Sequence, residues 1–281
     1  MSRTVYLNGA YVPEEEAMVS VFDRGFLFAD GIYEVTAVLD GKICEFEGHV
    51  KRLERSLGVL DMPMPVDKDE LLEIHRELVK RNNLDQGAIY LQVTRGAADR
   101  DFVYPKNVKQ TLVLFTQAKT LTDDKAGIKV IAAPDIRWGR RDVKTVQLLA
   151  PSMCKMMAKA AGKDDAWMVE DGFVTEGSSN NAYIVTKEGK IVTRNLSNSI
   201  LHGITRSSVL RIAAEMDMEI EERAFTIAEA QDAAEAFITA ATTFVCPVLE
   251  IDGATIGDGK PGPVATRLNT VYIEEARKGA I

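Results

Sequence analysis

Residues 35–46 read VTAVLDGKICEF, and this stretch decides the fold class. Two strand-like segments, 35–39 and 42–46, flank Asp40-Gly41, a pair that accepts the positive φ angles of a tight primed turn. The stretch therefore predicts a β-hairpin. Upstream, Asn8-Gly9 sits between 5–7 and 11–12 in the same pattern. Downstream, 47–58 puts Val50, Leu53 and Leu57 on one face at helical spacing, with Gly58 as the expected stop. A second amphipathic helix is expected over 69–82, then strands over 88–94 and 111–115. The first half thus reads as a mixed unit of antiparallel hairpins and helices.

The polar run 117–127, QAKTLTDDKAG, is the expected connection to a second domain. The boundaries follow as a small α+β domain over 1–118, a connection over 119–126 and a large domain over 127–281. In the large domain the pattern predicts strands at 129–132, 166–169, 182–185, 191–193 and 237–239. Helices are expected at 149–161, 205–216 and 263–277. Strands and helices do not alternate regularly, which argues against a doubly wound parallel sheet and for an α+β class.

Composition narrows the function. Among 281 residues the formal net charge is −8, so the surface repels nucleic acid and anionic membranes and a small-molecule partner is expected. Cys44, Cys154 and Cys246 are odd in number and far apart, and His49, His75 and His202 are equally scattered, so neither a disulfide framework nor a metal site is expected. The start, MSRTVYLNGAYV, reads as strand, turn, strand rather than a secretory signal, and no apolar run is long enough to span a bilayer. A cytoplasmic protein is expected.

Three local signals bear on chemistry. In 203–216, GITRSSVLRIAAEM, Thr205 is placed to cap a helix whose first-turn N–H groups suit a phosphate, although plain caps are far commoner. The segment 175–181, TEGSSNN, reads as a polar loop between strands with one carboxylate, Glu176. Lys144 lies between Val143 and Val146, ahead of the apolar run 148–150, as an amine nucleophile or a surface lysine covering apolar neighbours would.

Six stretches carry a resemblance: 23–35 (DRGFLFADGIYEV), 90–96 (YLQVTRG), 135–150 (DIRWGRRDVKTVQLLA), 174–181 (VTEGSSNN), 200–206 (ILHGITR) and 247–253 (PVLEIDG). In order and spacing they resemble the class-IV fold family of pyridoxal-5′-phosphate (PLP) aminotransferases, its D-amino-acid aminotransferases above all. The resemblance implies a two-domain fold, a small mixed α/β domain and a larger one with a pseudo-barrel of strands. It implies that Lys144 forms the Schiff base with PLP and moves the substrate proton, and that Glu176 faces the pyridine nitrogen. Arg52, Ile204 and Thr205 are implied to bind the phosphate, Leu201 to pack on the ring and Tyr33 to line the substrate pocket.

Departures from the family pattern shape the expected substrate. The loop 96–105, GAADRDFVYP, keeps an arginine at Arg100 but has Phe102 where many members carry a histidine that helps hold the substrate carboxylate. Asp99 stands where proline is common, and Ala29 where glycine is. In 239–244, TAATTF, Thr242 is the implied phosphate-binding hydroxyl, with Thr243 as a shifted alternative. The expected activity is transfer of the amino group of a D-amino acid such as D-alanine to a 2-oxo acid such as 2-oxoglutarate, by a ping-pong cycle in a homodimer. The alternatives are a branched-chain L-amino acid or an (R)-amine as donor, which Phe102 favours, and, more remotely, aminodeoxychorismate lyase.

Overall fold

The computed structural model describes residues 2–123 and 126–281. They form two compact units. The first takes Met1–Leu121, Val143–Gln147 and Ala276–Ile281; the second takes Thr122–Asp142 and Leu148–Glu275. The continuous boundaries expected above do not include the return of 143–147 and 276–281 to the first unit. Residues 124 and 125 of the expected connection lie outside the described residues. Backbone pairing causes both returns. The Tyr33 N–H donates to Lys144 O at 2.9 Å and the Val146 N–H to Gly31 O at 3.1 Å, while Ile43 and Ile281 exchange bonds of 2.9 and 3.0 Å.

In the first unit six strands run in the order Ala10–Pro13, Thr4–Leu7, Thr111–Ala118, Gly87–Thr94, Gly31–Leu39, Lys42–Ile43. Every neighbouring pair is antiparallel. Both hairpin turns use the positive φ angles that the sequence offers: 50° and 101° at Asn8 and Gly9, 53° and 71° at Asp40 and Gly41. The last strand stops at Ile43 rather than at 46, because Glu45 turns into the left-handed region at φ 52° and Phe46 starts a helix. That helix, Phe46–Val59, buries Val50, Leu53 and Leu57 as their spacing requires, and it runs through Gly58 instead of ending there. The next, Lys68–Arg81, is capped by Asp67, whose carboxylate accepts the Glu70 N–H at 2.8 Å. Leu53, Leu57, Leu71 and Leu78 join Val38, Ile89 and Leu114 in one core, each buried leucine contributing roughly 2 kcal/mol.

The second unit holds a mixed nine-stranded sheet. Its order is Ile220–Glu222, Ile191–Thr193, Asn181–Val185, Glu235–Ala240, Phe244–Ile251, Ile128–Pro134, Asp165–Glu170, Phe173–Gly177, with Ala254–Thr255 paired beside Phe244–Ile251. Pairing is parallel only where Ile128–Pro134 meets its two neighbours and where Ile191–Thr193 meets Ile220–Glu222. No doubly wound sheet is present among the described residues. Phe173–Gly177 corrects the reading of 175–181 as a loop: Glu176 sits on a strand, and only 178–180 turn. Two short helices, Arg24–Phe28 and Ile227–Gln231, escape the sequence reading because five residues hold too little periodicity. No helix among the described residues is long and apolar enough to cross a membrane.

Candidate active site

In the first unit the strand Gly31–Leu39 sets Tyr33 beside Lys144 on one face and Glu34, the partner of Arg52, on the other. The hydrogen bonds that draw 143–147 beside Gly31–Leu39 also fix the Lys144 backbone, and Thr145 bridges Ile32. Val143 and Thr145 are buried on either side, and the Lys144 Nζ lies 4.2 Å from the centroid of the Tyr33 ring. Tyr33 stacks on Tyr90 at 5.6 Å, and Tyr90 on Phe115 at 4.8 Å. This cross-strand ladder holds the Tyr33 ring in place. Burial and the neighbouring Tyr33 push the Tyr90 phenol up to about 12, so it stays protonated.

Arg52, on helix Phe46–Val59, donates to Glu34 through Nε at 2.8 Å and Nη2 at 2.7 Å. His49, one turn earlier, meets the same carboxylate through Nδ1 at 2.8 Å. Burial pushes Glu34 up, but the Arg52 charge and hydrogen bonds, then His49, outweigh it and hold the carboxyl at about 2. The charged pair fixes the guanidinium plane. Sequence reasoning missed Glu34 and His49. Strand alternation does show that Glu34 faces the opposite side from Tyr33.

The 96–105 loop is anchored from behind. Buried Arg24 donates to Asp30 at 2.7 Å and to Asp101 O at 2.6 Å, and Arg95 shares Asp30 and lies 3.5 Å from the Tyr104 ring centroid. Arg100 and Phe102 remain exposed. The Arg100 guanidinium lies 5.4 Å from the ring centroids of both Phe28 and Phe102, and among the described residues it forms no ion pair. It is a charged fork held by aromatic faces, with its hydrogen-bonding edge free for an anion.

The second unit gathers Glu176, Leu201, Ile204 and Thr205. Glu176 is 3% exposed. Its Oε1 accepts from Arg137 Nη1 at 2.5 Å, its Oε2 from Asn181 Nδ2 at 2.9 Å, and the Leu201 N–H lies 3.2 and 3.1 Å from the two oxygens. Burial raises its pKa, and Arg137 and the Leu201 N–H act against the rise. Arg137 is gripped in turn by Asp135 through bonds of 2.9 and 2.6 Å. Asp135, Arg137 and Asn181 were not read from sequence, although residues two apart on an extended chain, such as 135 and 137, do share a face.

The helix Ile204–Glu215 corrects the expected cap. Gly203 is the N-cap, with no side-chain cap bond, and Thr205 is the second helical residue, buried. Glycine leaves room there for the Asn181 amide, since a Cβ on residue 203 would lie 2.1 Å from Asn181 Oδ1 and displace it. With no capping side chain, the first-turn N–H groups are left for an outside acceptor. Asn181 also donates to Leu201 O at 3.0 Å, so one amide ties the buried carboxylate to the approach of the helix. Thr242 lies half-buried in the turn between Glu235–Ala240 and Phe244–Ile251, outside this network. A buried carboxylate joined to an uncapped helix start fits a group that carries a protonated ring nitrogen and a phosphate.

Comparison with known proteins agrees with this chemistry. Residues 31–251 match the model of the family described as Amino-transferase class IV. A D-alanine aminotransferase of Staphylococcus haemolyticus is 37% identical over 276 residues, 96% of this chain and 98% of its own. One from Bacillus licheniformis is 38% identical over 268 residues, 95% of this chain and 94% of its own. Among solved structures, a T.th. branched-chain amino acid aminotransferase complexed with N-(5′-phosphopyridoxyl)-L-glutamate superposes with a TM-score of 0.89 at 30% identity. That match covers 100% of this chain and 98% of the other.

Proposed function

Because the chain belongs to the class IV aminotransferases and is a PLP-dependent transaminase, we propose that it takes the amino group from a D-amino acid such as D-alanine and gives it to a 2-oxo acid such as 2-oxoglutarate. The observation that carries the donor is the identity of 37% with a D-alanine aminotransferase along 96% of this chain.

Bound PLP supplies a ring that accepts the electron pair left when the substrate Cα loses its proton. In this reading Glu176 keeps a proton on the ring nitrogen, and its burial strengthens that contact. Lys144 would hold the cofactor, and its amine would move the proton at the substrate Cα. Arg52, the helix start at Ile204 and Thr205, and the Thr242 hydroxyl take the phosphate. Leu201 packs on the ring and Tyr33 lines the substrate pocket. Arg100 takes the α-carboxylate, and Phe102 stands beside it. A homodimer in the cytoplasm completes the proposal, and three buried cysteines, none joined in a disulfide among the described residues, fit a reducing compartment.

A second reading has one observation behind it. Phe102 is 77% exposed, and an apolar ring there suits a donor with no carboxylate, an (R)-amine, or a branched-chain L-amino acid held another way. The test is conversion. Protein supplied with PLP, D-alanine and 2-oxoglutarate must yield pyruvate and glutamate, and no product from any amino donor sinks the proposal.

A further inference from the structure

We propose that Asp165 is a positioning residue for this reaction: it holds the turn at 178–180 in the shape that sets Glu176 and Asn181. The inference rests on the reading of Glu176 as the partner of the ring nitrogen. Asp165 opens the strand Asp165–Glu170, and its side chain is 3% exposed. Its carboxylate serves the neighbouring turn. Ser178 Oγ donates to Oδ1, and Asn180 Nδ2 donates to Oδ2 at 2.6 Å. The Ala166 N–H adds a bond to Oδ1 at 2.8 Å, and Lys155, from the helix Leu149–Ala160, brings its ammonium to 3.2 Å. Two backbone bonds close the turn: Gly177 N–H to Asn180 O at 2.8 Å and Ser178 N–H to Ala166 O at 3.0 Å.

Asn180 shows how narrowly this shape is set. The carboxylate can accept only from the amide nitrogen, so the orientation of the side-chain amide is decided. Its Oδ1 is then buried with no hydrogen-bond partner, a cost that folded proteins seldom accept. That oxygen faces residue 177, where an added Cβ would lie 2.0 Å away, so a side chain there would displace the Asn180 amide. The chain enters the turn directly from Glu176 and Gly177 and leaves it directly into Asn181. Asn181 bridges Glu176 Oε2 and Leu201 O. Any change in the turn therefore reaches both residues through one or two peptide units. Asp165 bonds to neither of them, so its effect is exerted through the turn.

The test replaces the bond without changing size. Asp165→Asn leaves one acceptor oxygen in place of two, so an NH2 group then faces either Asn180 Nδ2 or the Ser178 and Ala166 donors. The double variant Asp165→Asn/Asn180→Asp restores the bond with donor and acceptor exchanged. Four quantities are read: PLP affinity by tryptophan fluorescence quenching, the pH dependence of the bound cofactor's absorbance, kcat and KM for the best amino donor, and Tm. We expect Asp165→Asn to lower kcat about tenfold or more and to weaken PLP binding, as small misplacements do, with KM for the donor little changed. The exchange should recover most of both losses. Wild-type kcat and absorbance in a folded Asp165→Asn variant would overturn the proposal, as would a loss that the exchange leaves uncorrected. If Asp165→Asn does not fold, Ser178→Ala removes one donor alone, and unaltered PLP affinity and kcat there also overturn it. Glu176→Gln separates the two levels. A changed absorbance profile in that variant with none in Asp165→Asn defeats the inference alone, whereas no change in Glu176→Gln defeats the reading beneath it.

Discussion

Glu34→Gln perturbs the most strongly shifted carboxylate of the first unit, and the structure gives its size. Glu34 is 2% exposed and holds Arg52 Nε, Arg52 Nη2 and His49 Nδ1 within 2.8 Å. Burial raises its pKa, but Arg52 and then His49 bring it down from 4.5 to about 2. A folded-state pKa below the unfolded value means that the carboxylate stabilises the fold fully above pH 4.5 and loses that contribution as pH falls towards 2. The difference corresponds to about 3 kcal/mol at neutral pH. Roughly half of it remains at pH 3. Glutamine matches the size but removes the negative charge beside the buried guanidinium, a loss of about 3 to 5 kcal/mol in comparable pairs. Urea unfolding of wild type and variant at pH 7 and pH 3 is the assay. The gap should be about 3 kcal/mol at pH 7 and shrink by roughly half at pH 3. A gap below about 1 kcal/mol at pH 7, the scale of an exposed pair, or one that does not change with pH, refutes the reasoning.

Two further outcomes concern the proposed site. Lys144→Ala should abolish turnover and the visible absorbance of the bound cofactor while leaving the circular dichroism spectrum of the fold unchanged; full activity removes Lys144 from its role. Arg100→Ala should raise KM for donors with an α-carboxylate by about tenfold or more, as loss of a charged hydrogen bond does, and leave KM for simple amines nearly unchanged. An equal effect on both donor classes takes Arg100 out of carboxylate binding.

What was legible in the sequence is what local patterns encode. Asn8-Gly9 and Asp40-Gly41 lie where positive φ angles are needed, and Val50, Leu53 and Leu57 fall on the buried face of their helix. What was not legible depends on distant partners. The return of 143–147 to the first unit rests on backbone bonds to residues 31 and 33, which no periodicity records. Hydroxyl residues favour the cap position, so Thr205 is the expected cap, yet Gly203 takes it, where a side chain would displace the Asn181 amide. Glu176 looked like part of a loop because Thr, Gly, Ser and Asn favour turns. Pairing with Asp165–Glu170 holds it in a strand instead. Glu34 and Arg137 are ordinary charged residues in sequence and gain their meaning from Arg52 and Glu176.

The most direct measurement follows the absorbance of the PLP-loaded protein as D-alanine, L-leucine and (R)-1-phenylethylamine are added separately, with no 2-oxo acid present. D-alanine alone should bleach the cofactor band at low concentration. A band untouched by D-alanine but bleached by either of the other donors would contradict the proposed donor.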